Sequence, residues 1–136
     1  MTGDTGKIKF IGRALQHIDF SGIRYGNATP SNVDGIIELK GRLFVILEYK
    51  HESAQPMPRG QRMLIERITD NLHGKGKYAV GIIGIHSSPI GKEIDGALSL
   101  ATEVRWNGEW KSMNGKNFTV KNCIDRAYQI AFLEPF

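Results

Sequence analysis

The stretch that decides the fold spans residues 34–50 and reads DGIIELKGRLFVILEYK. Two apolar, β-branched segments flank Lys40-Gly41-Arg42, a pattern that predicts a β-hairpin. The second segment, Leu43 to Leu47, is continuously apolar, which is typical of a strand covered on both faces. We therefore expect the hairpin to lie within a sheet that has helices packed on it.

The sequence around the hairpin alternates helical and strand patterns. Apolar residues recur at helical spacing in three segments, residues 7–19, 61–72 and 119–133. Strand patterns occur at residues 78–85 and, around the turn signal Asn107-Gly108, at residues 102–111. This order predicts an α/β domain whose central mixed β-sheet is flanked by helices.

Composition limits the classes of protein that fit the chain. Its 136 residues, 40% of them hydrophobic, suit one domain with a core at about 7–90 and a hairpin and helix at 100–134. The single cysteine, Cys123, rules out an internal disulfide. No apolar run has the length of a signal peptide core or a membrane span, so we expect a cytoplasmic protein of a prokaryotic or phage-infected cell, with no membrane partner. The net charge of +4 permits a nucleic-acid partner without requiring one.

The hairpin also determines which side chains share a face. With Gly41 at the centre of a three-residue turn, the numbers of paired residues sum to about 82. Asp34 then lies opposite Glu48, and Lys50 points to the same face two residues further on. Directly opposed Cβ atoms lie ~5 Å apart. Two carboxylates at that distance repel each other unless a cation lies between them, and Mg²⁺ is bound through oxygen ligands of this kind.

Phosphodiester hydrolysis suits this set of residues. A metal-bound water loses a proton more easily and can attack phosphorus, and Lys50 beside the metal can stabilise charge that develops on the phosphate. Gln61 is a polar residue on the inward face of the helix at 61–72, at the end nearest Lys50. The alternative interpretation is a solvated strand edge whose charges are incidental, because a Glu-x-Lys tripeptide alone is common.

Residues 30–51, PSNVDGIIELKGRLFVILEYKH, and residues 60–68, GQRMLIERI, together resemble the PD-(D/E)xK nuclease superfamily. That superfamily includes restriction enzymes, Holliday-junction resolvases and phage or recombination exonucleases. The resemblance implies a restriction-endonuclease-like core, in which a helix, a three-stranded meander, a second helix and a strand would occupy residues 7–85.

The resemblance also implies roles for individual residues. Asp34 and Glu48 would be the acidic metal ligands, and Lys50 the catalytic lysine of the motif. The backbone carbonyl of Tyr49 would be a further metal ligand. Gln61 matches the glutamine that RecB-like members carry at the start of the following helix.

The predicted function is a Mg²⁺-dependent DNA nuclease, with Mn²⁺ as a substitute metal. We expect an endonuclease rather than an exonuclease, structure-selective and with a resolvase-like role in recombination, repair or a phage cycle, and a homodimer would supply two cuts. His51, Arg59 and Arg62 are predicted phosphate contacts. The alternatives are a non-catalytic nucleic-acid-binding protein with a nuclease-like fold and a structural protein.

Overall fold

The computed structural model describes residues 16, 18–28, 30–54 and 57–133. The chain divides into two compact units, Met1–Ser31 and Asn32–Phe136. In the first unit, Tyr25 and Ala28 form an isolated antiparallel bridge. The helix predicted over residues 7–19 lies almost entirely outside the described residues. Its described members, residues 16, 18 and 19, are not helical.

The second unit contains a five-stranded mixed sheet in which each strand pairs with its neighbours in chain order. The strands are β1 (Gly35–Leu39), β2 (Leu43–His51), β3 (Tyr78–His86), β4 (Leu100–Trp106) and β5 (Glu109–Ser112). Strands β2 and β3 are parallel, and the other three pairs are antiparallel. Among the described residues, the helices are α1 (Arg59–Leu72), α2 (Val120–Tyr128), a short 3-10 helix (Glu52–Ala54) and a π-helix (Gln129–Leu133) that continues α2. This mixed sheet flanked by helices is the α/β class that the sequence predicts.

Helix α1 joins the parallel strands β2 and β3 and packs on one face of the sheet. A Cβ at Gly81 would lie 2.6 Å from Ile65 Cγ2 and 3.0 Å from Thr69 Oγ1. Only a glycine lets the helix approach the strand this closely. Ile65, with Ile46 and Ile83 of the sheet, forms the buried core on this face.

Helix α2 covers the other face. Val120 and Ala127 pack in one buried cluster with Leu43, Val45 and other residues of the sheet. Leu43 and Val45 point to α2 while Ile46 points to α1, and all three are 0% exposed. The expectation that β2 is covered on both faces is confirmed, and it explains the continuous apolar run.

The observed elements differ from the predicted ones in particular places. Helix α1 begins at Arg59, two residues before the predicted start, and the last helix changes from α to π after Tyr128. The implied meander has three strands before this helix, but in the described part of the chain only β1 and β2 precede α1. No helix of the described residues is long and apolar enough to cross a membrane.

Candidate active site

The register of the β1–β2 hairpin brings two carboxylates together. Gly35 pairs with Leu47 and Leu39 with Leu43, so the predicted sum of 82 is confirmed. One step beyond this ladder, the Asp34 N–H donates to the Leu47 carbonyl at 3.2 Å. Continuing this register by one residue would set Asp34 opposite Glu48, as the sequence predicts, and the carboxyl group of Asp34 does interact with that of Glu48.

A second hydrogen bond holds the Asp34 side chain in place. The backbone N–H of Tyr49 donates to Asp34 Oδ2 at 2.7 Å. In an extended strand, the N–H and C=O of one residue point to the same neighbour. The Tyr49 carbonyl therefore points to the side on which Asp34 lies.

Glu48 is the buried member of the carboxylate pair and is only 5% exposed. Burial, together with the hydrogen bond and the negative charge of Asp34, raises the pKa of Glu48 from 4.5 to about 7. Lys50 opposes this rise, because its Nζ lies 3.9 Å from Glu48 Oε1. The raised pKa agrees with the repulsion that the hairpin register predicts for two facing carboxyl groups.

Gln61 lies in the first turn of α1. Because α1 connects two parallel strands, it runs antiparallel to β2 and begins near the carboxyl end of that strand, where Glu48 and Lys50 lie. Gln61 Oε1 is buried and accepts no hydrogen bond from any described residue. An unpaired buried acceptor costs about 1–3 kcal/mol, so this atom is available to a bound water or ligand.

Asp34, Glu48 and the Tyr49 carbonyl are oxygen donors, the kind of ligand that a hard divalent cation prefers. No cluster of three or more His, Cys, Asp and Glu side chains occurs among the described residues, so the site offers two carboxylates and no more. Mg²⁺ is commonly bound by one or two carboxylates, with water and substrate phosphates completing the coordination. Asp34, Glu48 and the Tyr49 carbonyl supply a donor set of this composition.

The predicted phosphate contacts separate into two groups. His51 follows Lys50 at the end of β2, and Arg59 is exposed at the start of α1. Arg62, in contrast, binds Glu103, with its Nη2 2.8 Å from Oε1, and its guanidinium lies 4.3 Å from the centre of the Trp110 ring. The structure therefore directs Arg62 toward the β4–β5 hairpin.

The parallel register of β2 and β3 adds His86 to this end of the sheet. His51 pairs directly with His86, and their ring centroids are 5.3 Å apart. The sequence places a histidine at the end of each strand. It contains no signal that fixes the register between them, because a 14-residue helix separates the two strands.

A separate cavity of about 530 Å³ lies on the α2 face. Its lining is mostly apolar and includes Val80, Trp106 and Cys123 together with the cationic Lys111 and Arg126. The sheet separates this cavity from Glu48 and Lys50, which point toward α1. The carboxylates, rather than this cavity, therefore form the candidate active site.

Comparison with known proteins adds no relative. No protein-family model matches the chain, and no curated protein or solved structure matches it. The resemblance of residues 30–68 to the PD-(D/E)xK nucleases stays a prediction, and the chemistry of the site rests on the residues described above.

Proposed function

We propose that this protein is a Mg²⁺-dependent DNA endonuclease with a restriction-endonuclease-like core. One observation carries the proposal. The carboxyl group of Asp34 interacts with the buried Glu48 across the hairpin, and Lys50 Nζ lies 3.9 Å from Glu48 Oε1. This combination provides two carboxyl groups that can ligate a metal through oxygen, and one cation, at the open end of the β1–β2 hairpin.

Each residue has a distinct task in this proposal. Asp34, Glu48 and the Tyr49 carbonyl would hold Mg²⁺, which supplies a Lewis acid and a bound water of lowered pKa. The Lys50 ammonium stabilises the negative charge that develops on the scissile phosphate. The unpaired Oε1 of Gln61 accepts a hydrogen bond from the attacking water and orients it.

The pairing of a buried Glu48 with Asp34 favours an enzyme over the alternative, a non-catalytic DNA-binding protein. Without a cation, burying Glu48 against Asp34 opposes folding, as the raised pKa of Glu48 indicates. Phosphate binding alone would gain nothing from two acids at the contact surface, since they repel the DNA backbone. A divalent cation bound by the two carboxylates would offset their repulsion.

A cleavage assay with defined metals tests the proposal. Supercoiled, linear, single-stranded and four-way-junction DNA are incubated with the protein in EDTA, Ca²⁺, Mg²⁺ or Mn²⁺. We expect cutting in Mg²⁺ and Mn²⁺ only, fastest on branched DNA, and loss of cutting in Glu48→Gln. The control is Glu38→Gln, which lies in β1 near the turn and whose carboxylate accepts the Gly41 N–H. Binding without cutting in any metal would favour the non-catalytic alternative.

The salt dependence of DNA affinity separates both nucleic-acid functions from a structural role. A protein that neutralises phosphates releases counterions, so log K falls with log salt by about 0.9 for each contact with duplex DNA. We expect a steep fall between low and physiological salt. A flat response would argue against any nucleic-acid partner. Sedimentation of the same samples tests the expected homodimer.

A further inference from the structure

We propose that His51 and His86 form a phosphate clamp that binds a backbone phosphate of DNA beside the one at Lys50. The proposed function supplies the identity of the ligand, DNA. The geometry of the clamp does not depend on the proposed function. The clamp contains neither Asp34 nor Glu48. It is therefore a second contact with DNA and not part of the proposed metal site.

The two rings lie side by side at one edge of the sheet. His51 and His86 are the last residues of the parallel strands β2 and β3 and are directly paired. Their ring centroids are 5.3 Å apart and their planes are almost perpendicular, at 83°. Ligands of open α/β sheets bind outside the carboxyl ends of the strands, and Lys50 immediately precedes this edge.

Local hydrogen bonds set the tautomer of both rings. The Ser53 N–H donates to His51 Nδ1 at 3.1 Å, and the Ser88 N–H donates to His86 Nδ1 at 3.2 Å. A nitrogen that accepts a backbone N–H carries no proton, so in each ring the proton resides on Nε2. His51 Nδ1 also lies 2.7 Å from Ser53 Oγ. With Nδ1 engaged in both rings, Nε2–H is the donor left for a ligand.

Two such donors match the needs of a phosphodiester. Its two non-bridging oxygens each accept hydrogen bonds of roughly 2.8 Å, so one phosphate can bridge two rings at this separation. Acidic groups also lie near His86, namely Glu52 and Asp95. Asp95 Oδ1 is occupied, because it accepts the N–H groups of Ala97 and Leu98. A phosphodiester carries a single negative charge, so acids near this edge repel it less than they repel a more highly charged anion.

Two substitutions at each histidine separate the clamp from its structural support. Asparagine places an oxygen where Nδ1 lies, so His51→Asn and His86→Asn keep the local acceptor and lose the outer donor. Glutamine places an amide N–H near Nε2 and keeps the outer donor. The matched control is His73→Asn, because His73 Nδ1 also accepts a backbone N–H, from Ala79 at 3.0 Å, at the opposite end of β3.

Binding is measured by fluorescence anisotropy on a labelled four-way junction in Ca²⁺, with a thermal melt of every variant. We expect each Asn variant to raise Kd about tenfold, as for a lost hydrogen bond to a charged group, with an unchanged Tm. The Gln variants and His73→Asn should stay within about threefold of wild type. Asn variants that bind like wild type would overturn the clamp, and so would Asn and Gln variants that weaken binding equally.

The same samples separate failure of the clamp from failure of the proposed function. If Kd follows the Asn and Gln pattern but no metal supports cutting, the clamp stands and the nuclease proposal fails. If the protein cuts DNA and neither Kd nor KM responds to His51→Asn or His86→Asn, the nuclease proposal stands and the clamp fails. Absence of DNA binding would overturn both.

Discussion

The Tyr49 N–H donates a hydrogen bond to the Asp34 carboxylate at 2.7 Å. The side chain of Asp34 thereby continues the hairpin ladder beyond Gly35, where strand β1 begins. The facing Glu48 is buried, and its pKa is raised to about 7 by that burial and by the hydrogen bond and negative charge of Asp34.

Replacing Asp34 by asparagine should make the free energy of unfolding independent of added metal. The side-chain oxygen of the introduced amide can still accept the Tyr49 N–H, while the repulsion of Glu48 is gone. Without metal, Asp34→Asn should be at least as stable as wild type. Wild type should gain about 2.7 kcal/mol at a hundredfold excess of metal over its Kd, and the variant should gain nothing and cut no DNA.

Thermal melts in EDTA and in Mn²⁺ measure this difference. The control variant is Glu38→Gln, whose position shares the face of Asp34 but lies ~13 Å away along the strand. This control should keep the metal response of wild type. Equal metal responses in wild type and Asp34→Asn would show that Asp34 is not a ligand.

The metal-free protein should lose stability as the pH rises from about 4.5 to about 7. Glu48 has a pKa of about 7 in the folded state and 4.5 as its ordinary value, so the folded state binds more protons in this window. Stability then falls with pH. The stability is highest below pH 4.5, where Glu48 is protonated in both the folded and the unfolded state. It falls as Glu48 ionises up to its folded pKa, and the total loss is at most roughly 3 kcal/mol.

Urea unfolding in EDTA at several pH values between 4.5 and 8 measures the effect. Glu48→Gln removes the titrating group, so its stability should change less across this window than that of wild type. Glu38→Gln, which leaves Glu48 in place, should retain the wild-type fall. A wild-type stability that rises between pH 5 and 7 would contradict the raised pKa of Glu48.

The hairpin and its carboxylate pair could be predicted because local chemistry determines them. Lys40 and Gly41 adopt positive φ values of 55° and 65°, so the turn sequence fixes where the chain reverses. The turn then fixes the register, and the register places Asp34 opposite Glu48. Asn107 and Gly108 determine the second hairpin in the same way, with φ values of 49° and 81°.

Contacts between distant segments could not be predicted in this way. Arg62 is a predicted phosphate contact because of its place near Gln61, but its partner Glu103 is 41 residues away. The pairing of His51 with His86 depends on how α1 docks against Gly81, since that contact fixes how the crossover returns to the sheet. Tertiary packing, rather than local sequence, decides both outcomes.

Lys50→Ala should slow cleavage by roughly 10²–10³ and leave DNA affinity nearly unchanged. A preorganised charge beside the reacting phosphate contributes that much to the rate, whereas one lysine among 18 basic residues contributes little to binding. The control is Lys77→Ala, because Lys77 precedes β3 and lies ~26 Å along the sheet from Lys50. Single-turnover rates and Kd values are compared. A Lys50→Ala variant that cuts at the wild-type rate would show that Lys50 is not part of the active site.

Helix α1 contains two buried polar atoms without hydrogen-bond partners among the described residues, Gln61 Oε1 and Thr69 Oγ1. They lie eight residues apart, or ~12 Å along the helix. Removing either atom relieves an unpaired buried group, so Gln61→Met and Thr69→Val should each stabilise the metal-free protein by about 1 kcal/mol.

Only the Gln61 change should affect catalysis, since Gln61 lies in the first turn of α1, at the end of the helix nearest the carboxyl end of β2, while Thr69 packs against Gly81. We expect Gln61→Met to lower kcat at least tenfold and Thr69→Val to leave kcat unchanged. Urea unfolding and cleavage rates on the same preparations decide the matter. If both variants gain stability and both cut at the wild-type rate, the unpaired Gln61 oxygen is a packing imperfection and not part of the active site.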